Sequence, residues 1–179
     1  MTAREQGAPQ LIGSDYGAIA DLYDYVTPYR RRPDVGFYVE AAQEWGGPVL
    51  EVGCGTGRVL IPTARTGLAV TGIDLSPAML RVCRERLQQE PAAVRDRVQL
   101  IRADMRSFAL GRTFPLATIP FRPLQHLLAV ADQMACLRTI WRHLEEGGRL
   151  VLDVFNPSLE ALVADNVGEQ VGEAVSFTL

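Results

Sequence analysis

Lysine is absent from this sequence of 179 residues, and histidine occurs only twice. All 18 basic residues are therefore arginines, and they stand against 21 acidic residues, so the formal net charge is −3. A broad polyanion-binding surface needs a clear excess of positive charge. The balance therefore disfavours nucleic acid as a partner, although a local basic patch such as Arg30-Arg31-Arg32 is present.

Cysteine is also rare, and the three cysteines, Cys54, Cys83 and Cys136, lie far apart. None belongs to a Cys-x-x-Cys pair, and no histidine lies at the spacing of a zinc finger. The sequence therefore encodes neither a disulfide framework nor a zinc site. We expect no metal and a reducing, cytoplasmic location.

Long hydrophobic runs are missing as well. No stretch approaches the ~18 apolar residues of a membrane span, and the first 13 residues contain no continuous apolar segment. We expect a protein that is soluble, unexported and has no membrane partner. Hydrophobic residues nevertheless make up 47% of the chain, which is typical of a globular domain with its own core. One domain is expected at this length.

The spacing of apolar residues changes along the chain and predicts alternating helices and strands. Helices are expected over residues 15–28 and from about 34 to 45. The five predicted strands cover residues 49–52, 68–73, 98–101, 116–119 and 149–154. Strands separated by helices imply right-handed crossovers, and hence an α/β fold with a mainly parallel sheet that is covered on both faces.

Three further helices are predicted between these strands. One covers residues 59–65, and the next begins at Ser76-Pro77, where serine is an N-cap and proline suits the first helical position. The inner stripe of that helix is Met79, Val82, Cys83 and Leu87. The last helix precedes the fifth strand, and its predicted apolar side is Met134, Leu137, Ile140, Trp141 and Leu144.

A glycine-rich turn, Glu51-Val52-Gly53-Cys54-Gly55-Thr56-Gly57, follows the first predicted strand. Parallel sheets bind ligands at the carboxyl ends of their strands, and glycines there let the backbone turn sharply and a ligand approach. The dinucleotide fingerprint Gly-x-Gly-x-x-Gly needs a glycine at position 58, where this chain has Arg58. The spacing therefore disfavours a nicotinamide oxidoreductase.

The Glu-x-Gly-x-Gly-x-Gly pattern resembles the first motif of class I S-adenosylmethionine-dependent methyltransferases, and three further segments agree. Gly72-Ile73-Asp74-Leu75-Ser76 ends the second strand in a carboxylate, and Ala103-Asp104-Met105 follows the third strand. The segment from Leu144 to Leu150 resembles the family's Leu-x-x-Gly-Gly-x-Leu approach to its fifth strand. The resemblance covers about residues 12 to 160 and implies a three-layer Rossmann-like sandwich.

The resemblance also implies which residues bind S-adenosylmethionine. The glycine turn would admit the methionine portion, Asp74 would accept hydrogen bonds from the ribose hydroxyls, and Asp104 would face the adenine amino group. Tyr16 and Tyr23 either cover the cofactor or pack their helix onto the sheet. The full predicted set is Glu51, Gly53, Cys54, Gly55, Gly57, Asp74, Leu75, Asp104, Met105, Tyr16 and Tyr23.

A sulfonium methyl group is already a strong electrophile, so its transfer depends chiefly on alignment and desolvation of the acceptor. The loop after the fourth strand faces the transferred methyl in this family. In that loop His126 is either a general base or substrate contact, or a residue that caps the following helix. Arg122 and Gln125 are the predicted substrate contacts, although Arg122 in solvent is the alternative. His143 is expected to be structural.

The function implied by the resemblance is that of an enzyme that transfers a methyl group to nitrogen or oxygen of a small molecule, with S-adenosylhomocysteine as product. The acidic pI near 5.4 and the absence of base-modifying motifs favour a small-molecule acceptor. An RNA or protein methyltransferase and a non-catalytic S-adenosylmethionine-binding domain remain the alternatives.

Two departures from the family pattern stand out. Pro115 replaces a usual acid and removes a ladder donor, which weakens the assignment of the fourth strand. After Val154 the family adds a helix and a hairpin of strands six and seven, whereas the remaining residues suffice for a helix at 158–165 and one strand at 171–179.

This shortfall predicts a truncated chain with an incomplete C-terminal hairpin. The expected layout is a helical cap over residues 1–47, a cofactor-binding core over 48–154 and a truncated C-terminal part over 155–179. The exposed edge of the last strand would invite a homodimer.

Overall fold

The computed structural model describes residues 20–25 and 33–155. In these residues five parallel strands form one sheet in the order β3-β2-β1-β4-β5. The strands are β1 (Val49–Val52), β2 (Val70–Asp74), β3 (Val98–Arg102), β4 (Phe114–Ile119) and β5 (Leu144–Leu152). The helices are α1 (Asp34–Trp45), α2 (Leu60–Arg65), α3 (Pro77–Gln88), α4 (Ala92–Arg95) and α5 (Val130–Trp141). The predicted α/β class and parallel sheet are confirmed.

The sheet separates two hydrophobic clusters because successive side chains of a strand point to opposite faces. Val49 and Leu116 pack on one face with α2 and α3, whereas Leu50, Val52 and Ile73 pack on the other. All four residues of β1 are buried. The central strand is therefore covered on both sides, and ligands can reach the sheet only at its edge, where the strands end.

Helix α3 begins as its sequence predicts. The Ser76 hydroxyl accepts a hydrogen bond from the Met79 amide at 3.3 Å, and Pro77 occupies the first helical position. Met79, Cys83 and Leu87 are buried as predicted. The stripe differs at two positions: Leu80 is buried although it was not predicted, and Val82 is only half-buried. This cap fixes the helix directly after β2, next to the carboxyl end of that strand.

Strand β4 lies between β1 and β5, despite the proline within it. The register with β5 shifts between Phe114 and Leu116, because β5 has extra residues between Leu144 and Arg149, so Pro115 faces an irregular stretch of β5. Proline is tolerated there because the ladder with β5 is interrupted at this position and the pairing with β1 begins only at Leu116. The doubt about this strand was therefore wrong, and the strand is two residues longer at its start than predicted.

The predicted apolar side of α5 is confirmed at Ile140, which is buried, and was wrong at Met134 and Trp141. Trp141 is 63% exposed and Met134 is 41% exposed, while the buried positions of the helix are Cys136, Thr139 and Ile140. A threonine can occupy this inner face because its hydroxyl donates to the Arg106 carbonyl at 2.8 Å. Leu144 belongs to β5 rather than to the helix.

Several predictions fall on residues outside the described part of the chain. Of the helix expected over 15–28, only residues 20–25 are described, and Tyr23–Tyr25 form one turn of 3-10 helix. The helix expected at 158–165 and the strand at 171–179, with its dimer edge, lie outside. Among the described helices, none has the length and apolar character needed to cross a bilayer.

Thr118 of β4 gives a stability prediction. Its side chain is 2% exposed, and its hydroxyl oxygen lacks a hydrogen-bond partner among the described residues. An unpaired buried hydroxyl costs about 1–3 kcal/mol. We expect Thr118→Val to raise the free energy of unfolding by ~1 kcal/mol in urea titrations.

The matched control is Thr139→Val. The Thr139 hydroxyl donates to Arg106 and accepts from the Arg142 guanidinium at 2.9 Å, so its loss should destabilise the protein by about 1 kcal/mol. If Thr118→Val destabilises the protein as much as Thr139→Val does, the Thr118 hydroxyl is paired in solution and the prediction is wrong.

Candidate functional site

One pocket opens at the carboxyl ends of β1, β2, β3 and β4. Its lining joins the glycine turn after β1 to the ends of the neighbouring strands. The lining residues are Tyr23, Glu51, Gly53, Cys54, Gly55, Thr56, Arg58, Val59, Ile73, Asp74, Leu75, Ser76, Met79, Ala103, Asp104, Met105, Arg106, Pro120, Phe121, Pro123, His126 and Leu127. The sheet edge predicted from the glycine turn and the two aspartates is thus a single concave site.

Gly55 is the glycine of the turn that faces open space. Its φ is +52°, and a Cβ built on it would meet no atom within 4 Å. Its amide donates to the Asp74 carboxylate at 2.8 Å, which ties the turn to the end of β2. The missing side chain therefore leaves room beside the backbone for a ligand.

Gly53 and Gly57 are required both by their backbone conformation, with φ of +73° and +81°, and by packing. A Cβ at Gly53 would lie 2.7 Å from Pro123, and one at Gly57 would lie 2.6 Å from the Cys83 sulfur. Gly57 is not among the residues that line the pocket. Cys54 does line it, and burial raises the pKa of its thiol well above the ordinary value, so the thiol stays protonated. A nucleophilic role for Cys54 is therefore not supported.

Asp74 presents its carboxylate to the pocket from the end of β2. One oxygen accepts from the Gly55 amide and the other from the Ser76 amide, both at 2.8 Å. Burial raises the pKa of Asp74, and these two backbone donors act against that shift. Each carboxylate oxygen retains acceptor capacity after one hydrogen bond. Asp74 is therefore an oriented acceptor that can take hydroxyl donors from a ligand.

Asp104 lies in the pocket after β3, and Met105 follows it. Both carboxylate oxygens contact the Arg106 side chain, with a shortest distance of 2.6 Å, and Arg106 also reaches Asp132 at 3.3 Å. The hydrogen bond from Arg106 lowers the pKa of Asp104. The carboxylate is therefore ionised, and it is held by an arginine that the sequence prediction had not included.

Glu51, a residue of β1, also lines the pocket and is only 2% exposed. Burial raises its pKa to about 8, while Arg58 and the Leu60 amide act in the opposite direction. Arg58 cannot serve Glu51 fully, because its two terminal nitrogens bind the Asp34 carboxylate at 2.6 and 2.7 Å. The pKa of the buried Glu51 carboxyl thus lies near neutral pH, and the arginine that influences it is bound to Asp34 of α1.

The loop after β4 forms the part of the pocket wall that adjoins the glycine turn. Phe121 packs edge-on against Tyr23 with ring centroids 6.5 Å apart, and the Arg58 guanidinium lies 5.4 Å from the Phe121 centroid. His126 lines the pocket in a short 3-10 helix, Pro123–His126. Partial burial lowers the pKa of His126, against the opposing effect of Asp74. Its imidazole is therefore mainly neutral at pH 7.

The two predicted substrate contacts do not line this pocket. Gln125 is engaged by Phe155: its amide group donates to the Phe155 carbonyl at 3.1 Å, and its oxygen accepts from the Phe155 amide at 2.6 Å. The Arg122 guanidinium lies 4.9 Å from the Phe155 ring centroid. Both side chains therefore hold the segment after β5 rather than facing the pocket. Tyr16 lies outside the described residues.

Comparison with known proteins decides the family. A sequence model described as "Methyltransferase domain" matches residues 49–148, more than half of the chain. The dTDP-3-amino-3,6-dideoxy-alpha-D-glucopyranose N,N-dimethyltransferase of Streptomyces fradiae is 34% identical over 147 residues, which are 78% of this chain and 54% of that protein. The chain belongs to the class I S-adenosylmethionine-dependent methyltransferases.

Two other members of this methyltransferase family are similar over the same region. The ubiquinone biosynthesis O-methyltransferase of Xanthomonas oryzae pv. oryzae is 34% identical over 74% of this chain and 54% of that protein. The solved structure of S-adenosylmethionine-bound CalS10, an amino pentose methyltransferase from Micromonospora echinaspora involved in calicheamicin biosynthesis, shares 35% identity with a TM-score of 0.62, over 75% of this chain and 56% of that chain. The chain spans about half the length of these methyltransferases.

The predicted set did not include several residues that line the pocket, among them Arg58, Arg106 and Phe121. Arg58 had been used only to exclude a dinucleotide site, and its place directly after the glycine turn was the available signal. Arg106 follows Asp104 by two residues, a spacing at which side chains can pair in a turn. Phe121 gave no local signal, because a loop aromatic is as easily a core residue.

His143 is structural, as expected. It is 7% exposed, its Nδ1 lies 2.7 Å from the Thr139 carbonyl, and its Nε2 accepts from the Leu110 amide at 3.1 Å. This arrangement joins the end of α5 to the segment before β4. Within residues 20–25 and 33–155, no three His, Cys, Asp or Glu side chains cluster as metal ligands.

Proposed function

We propose that this chain binds S-adenosylmethionine and transfers its methyl group to nitrogen or oxygen of a small molecule. The observation that carries the proposal is the single pocket that unites the open side of Gly55 with the carboxylates of Asp74 and Asp104. These groups follow β1, β2 and β3 in order along one sheet edge. Residues 48–154 would form the cofactor-binding core.

The donor groups of the pocket suit the parts of this cofactor. Asp74 would accept hydrogen bonds from both ribose hydroxyls with the lone pairs that Gly55 and Ser76 leave unused. Glu51 would face the amino group of the methionine portion. Asp104 would face the adenine amino group while it keeps its ion pair with Arg106, and Met105 would pack on the ring.

The bound cofactor would supply a methyl group on a positively charged sulfur, which is electrophilic without further activation. The chain would then contribute alignment and the exclusion of water. The apolar part of the lining supports the exclusion of water, because Val59, Ile73, Met79, Ala103 and Leu127 all border the pocket. The rings of Tyr23 and Phe121, which contact each other, also border the pocket and would limit the approach of water.

His126 would accept the proton that an amine or hydroxyl acceptor loses. Its lowered pKa leaves the imidazole unprotonated at pH 7, which is the form a general base needs. Arg122 and Gln125 would contact the acceptor outside the pocket itself, in the region where their side chains contact Phe155.

A small acceptor is supported by the relatives, whose names refer to an amino sugar, an amino pentose and the biosynthesis of ubiquinone. The formal charge of −3 fits such an acceptor better than RNA. A cytoplasmic location and a homodimer through a C-terminal strand are further proposals that rest on the sequence alone.

Calorimetry tests the binding step, with S-adenosylhomocysteine as the ligand and NADH as the matched control. We expect binding of the first in the micromolar range and none of the second. Binding of NADH alone would overturn the proposal. For turnover, small amines, phenols and carboxylates are screened for the formation of S-adenosylhomocysteine. Binding without turnover on any of them would favour the non-catalytic alternative.

A further inference from the structure

A carboxylate at the end of β5 has no role in the proposed function. Asp153 directly follows Leu152, the last residue of that strand. Its Oδ1 atom accepts two hydrogen bonds, one from the Tyr38 hydroxyl at 2.7 Å and one from the Phe121 amide at 2.5 Å. Asp153 therefore joins helix α1, whose Tyr38 is 115 residues earlier in the sequence, to the loop after β4, whose Phe121 is 32 residues earlier.

The loop that Asp153 holds has an uncommon backbone conformation. Phe121 has a φ of 65° and Arg122 a φ of 67°, and both are residues with a Cβ. Left-handed backbone is disfavoured for such residues and persists where the surroundings impose it. Two successive residues in this region therefore need an external partner, and the hydrogen bond to Asp153 is made by the first of the two.

This conformation determines one wall of the pocket. It directs the Phe121 ring toward Tyr23 and Arg58, and it sets the start of the helical turn that carries Pro123 and His126. Pro123 packs so closely on the glycine turn that a Cβ at Gly53 would lie 2.7 Å from it. A shift of this loop would therefore change the distance between its side chains and the glycine turn.

The donor on α1 is well suited to orient the carboxylate. Tyr38 is 1% exposed, so its hydroxyl needs a partner within the protein. Burial and the neighbouring Asp153 raise the pKa of this phenol, so it remains a donor at every physiological pH. Neither Tyr38 nor Asp153 lines the pocket. Any effect on a ligand is therefore indirect, and the hydrogen bond to the Phe121 amide offers a route for it.

We propose that Asp153 is a positioning residue, which Tyr38 orients and which holds Phe121 and Arg122 in the left-handed conformation that shapes the cofactor pocket. The inference rests on the proposed function for its consequence in ligand binding, but not for the hydrogen bond itself. Loss of the carboxylate should release the loop, whereas a glycine at position 122 should remove part of the need for it, because glycine adopts positive φ without strain.

The experiment compares Asp153→Ala, Asp153→Asn and the double variant Asp153→Ala with Arg122→Gly in the full chain. Calorimetry measures S-adenosylhomocysteine affinity, and NMR measures the shift and hydrogen exchange of the Phe121 amide. We expect Asp153→Ala to weaken binding at least 10-fold and to remove the protection of that amide. Asparagine keeps an acceptor oxygen and should restore most of both. The double variant should regain affinity over Asp153→Ala.

Tyr38→Phe keeps the buried ring and serves if Asp153→Ala fails to fold; it should loosen the Phe121 amide and weaken binding several-fold. Asp96→Ala, at an exposed site remote from the loop, is the matched control and should change neither readout. Unchanged protection of the Phe121 amide in folded Asp153→Ala, or in Tyr38→Phe, would overturn the inference. If the wild type binds no S-adenosylhomocysteine, the proposed function fails while the amide protection still tests the positioning role.

Discussion

Replacement of Asp74 by alanine is expected to weaken S-adenosylhomocysteine binding by roughly 100-fold. A hydrogen bond to a charged group contributes about 1.5–3 kcal/mol, and the carboxylate would receive two from the ribose. A loss near 3 kcal/mol corresponds to about two orders of magnitude in the dissociation constant. Alanine also leaves the amides of Gly55 and Ser76 without their acceptor, so the turn itself would loosen.

Calorimetry measures this loss, and circular dichroism shows whether the variant is folded. Asp74→Asn retains one oxygen and should give a smaller loss of affinity than alanine does. Asp96→Ala makes the same change on an exposed residue just before β3, at the amino end of that strand and away from the pocket. It should bind S-adenosylhomocysteine like the wild type. A folded Asp74→Ala protein with wild-type affinity would remove Asp74 from the site.

The central strands were predictable because strands that are buried on both faces are rich in apolar residues. Strand β1 matches its predicted bounds, and β3 differs by one residue. The prediction for β2 began two residues early, since Leu68 and Ala69 are as apolar as the strand that follows. Pairing decides the true start: Val70 is opposite Val49 on one side and Val98 on the other.

Two local rules failed for reasons that lie elsewhere in the chain. Pro115 argued against a strand, yet the irregular stretch of β5 that faces it accommodates the missing donor. The apolar side of α5 was misplaced because Thr139, a polar residue, is buried through its hydrogen bond to Arg106. In both cases the deciding partner is distant in sequence, so no window around the residue contains the information.

The candidate site was predictable where chain position alone fixes a residue. Asp74 is the last residue of β2 and Asp104 follows β3 by two residues, and the carboxyl ends of parallel strands meet at one edge of the sheet. Arg122 and Gln125 were assigned by loop membership only, and their side chains turn to Phe155 instead. Asp153 also follows a strand end, so the rule that selected the first two aspartates applies to it equally.

Glu51 gives the largest expected dependence of stability on pH. Its pKa rises to about 8 in the folded protein from an ordinary value of 4.5, chiefly because it is buried. The folded state therefore holds this proton more tightly than the unfolded state does. The resulting stability is complete below about pH 4.5 and is lost progressively as the pH rises to 8 and the buried carboxyl ionises.

Glu51→Gln keeps the size of the side chain and cannot ionise. We expect the free energy of unfolding of this variant, relative to the wild type, to increase by about 3 kcal/mol between pH 5 and pH 8, from ~1.4 kcal/mol for each unit of pKa difference. Asp74 also has a raised pKa, but it is present in both proteins, so its contribution largely cancels in the comparison.

Urea unfolding of both proteins without ligand, at pH 5, 6.5 and 8, measures the difference. Glu44→Gln changes an exposed residue of α1 and should follow the wild type at every pH. Parallel pH profiles for Glu51→Gln and the wild type would mean that the carboxyl is ionised throughout. That result would require Arg58 to leave Asp34 for Glu51, because Arg58 is the cation that lowers the pKa of this buried group.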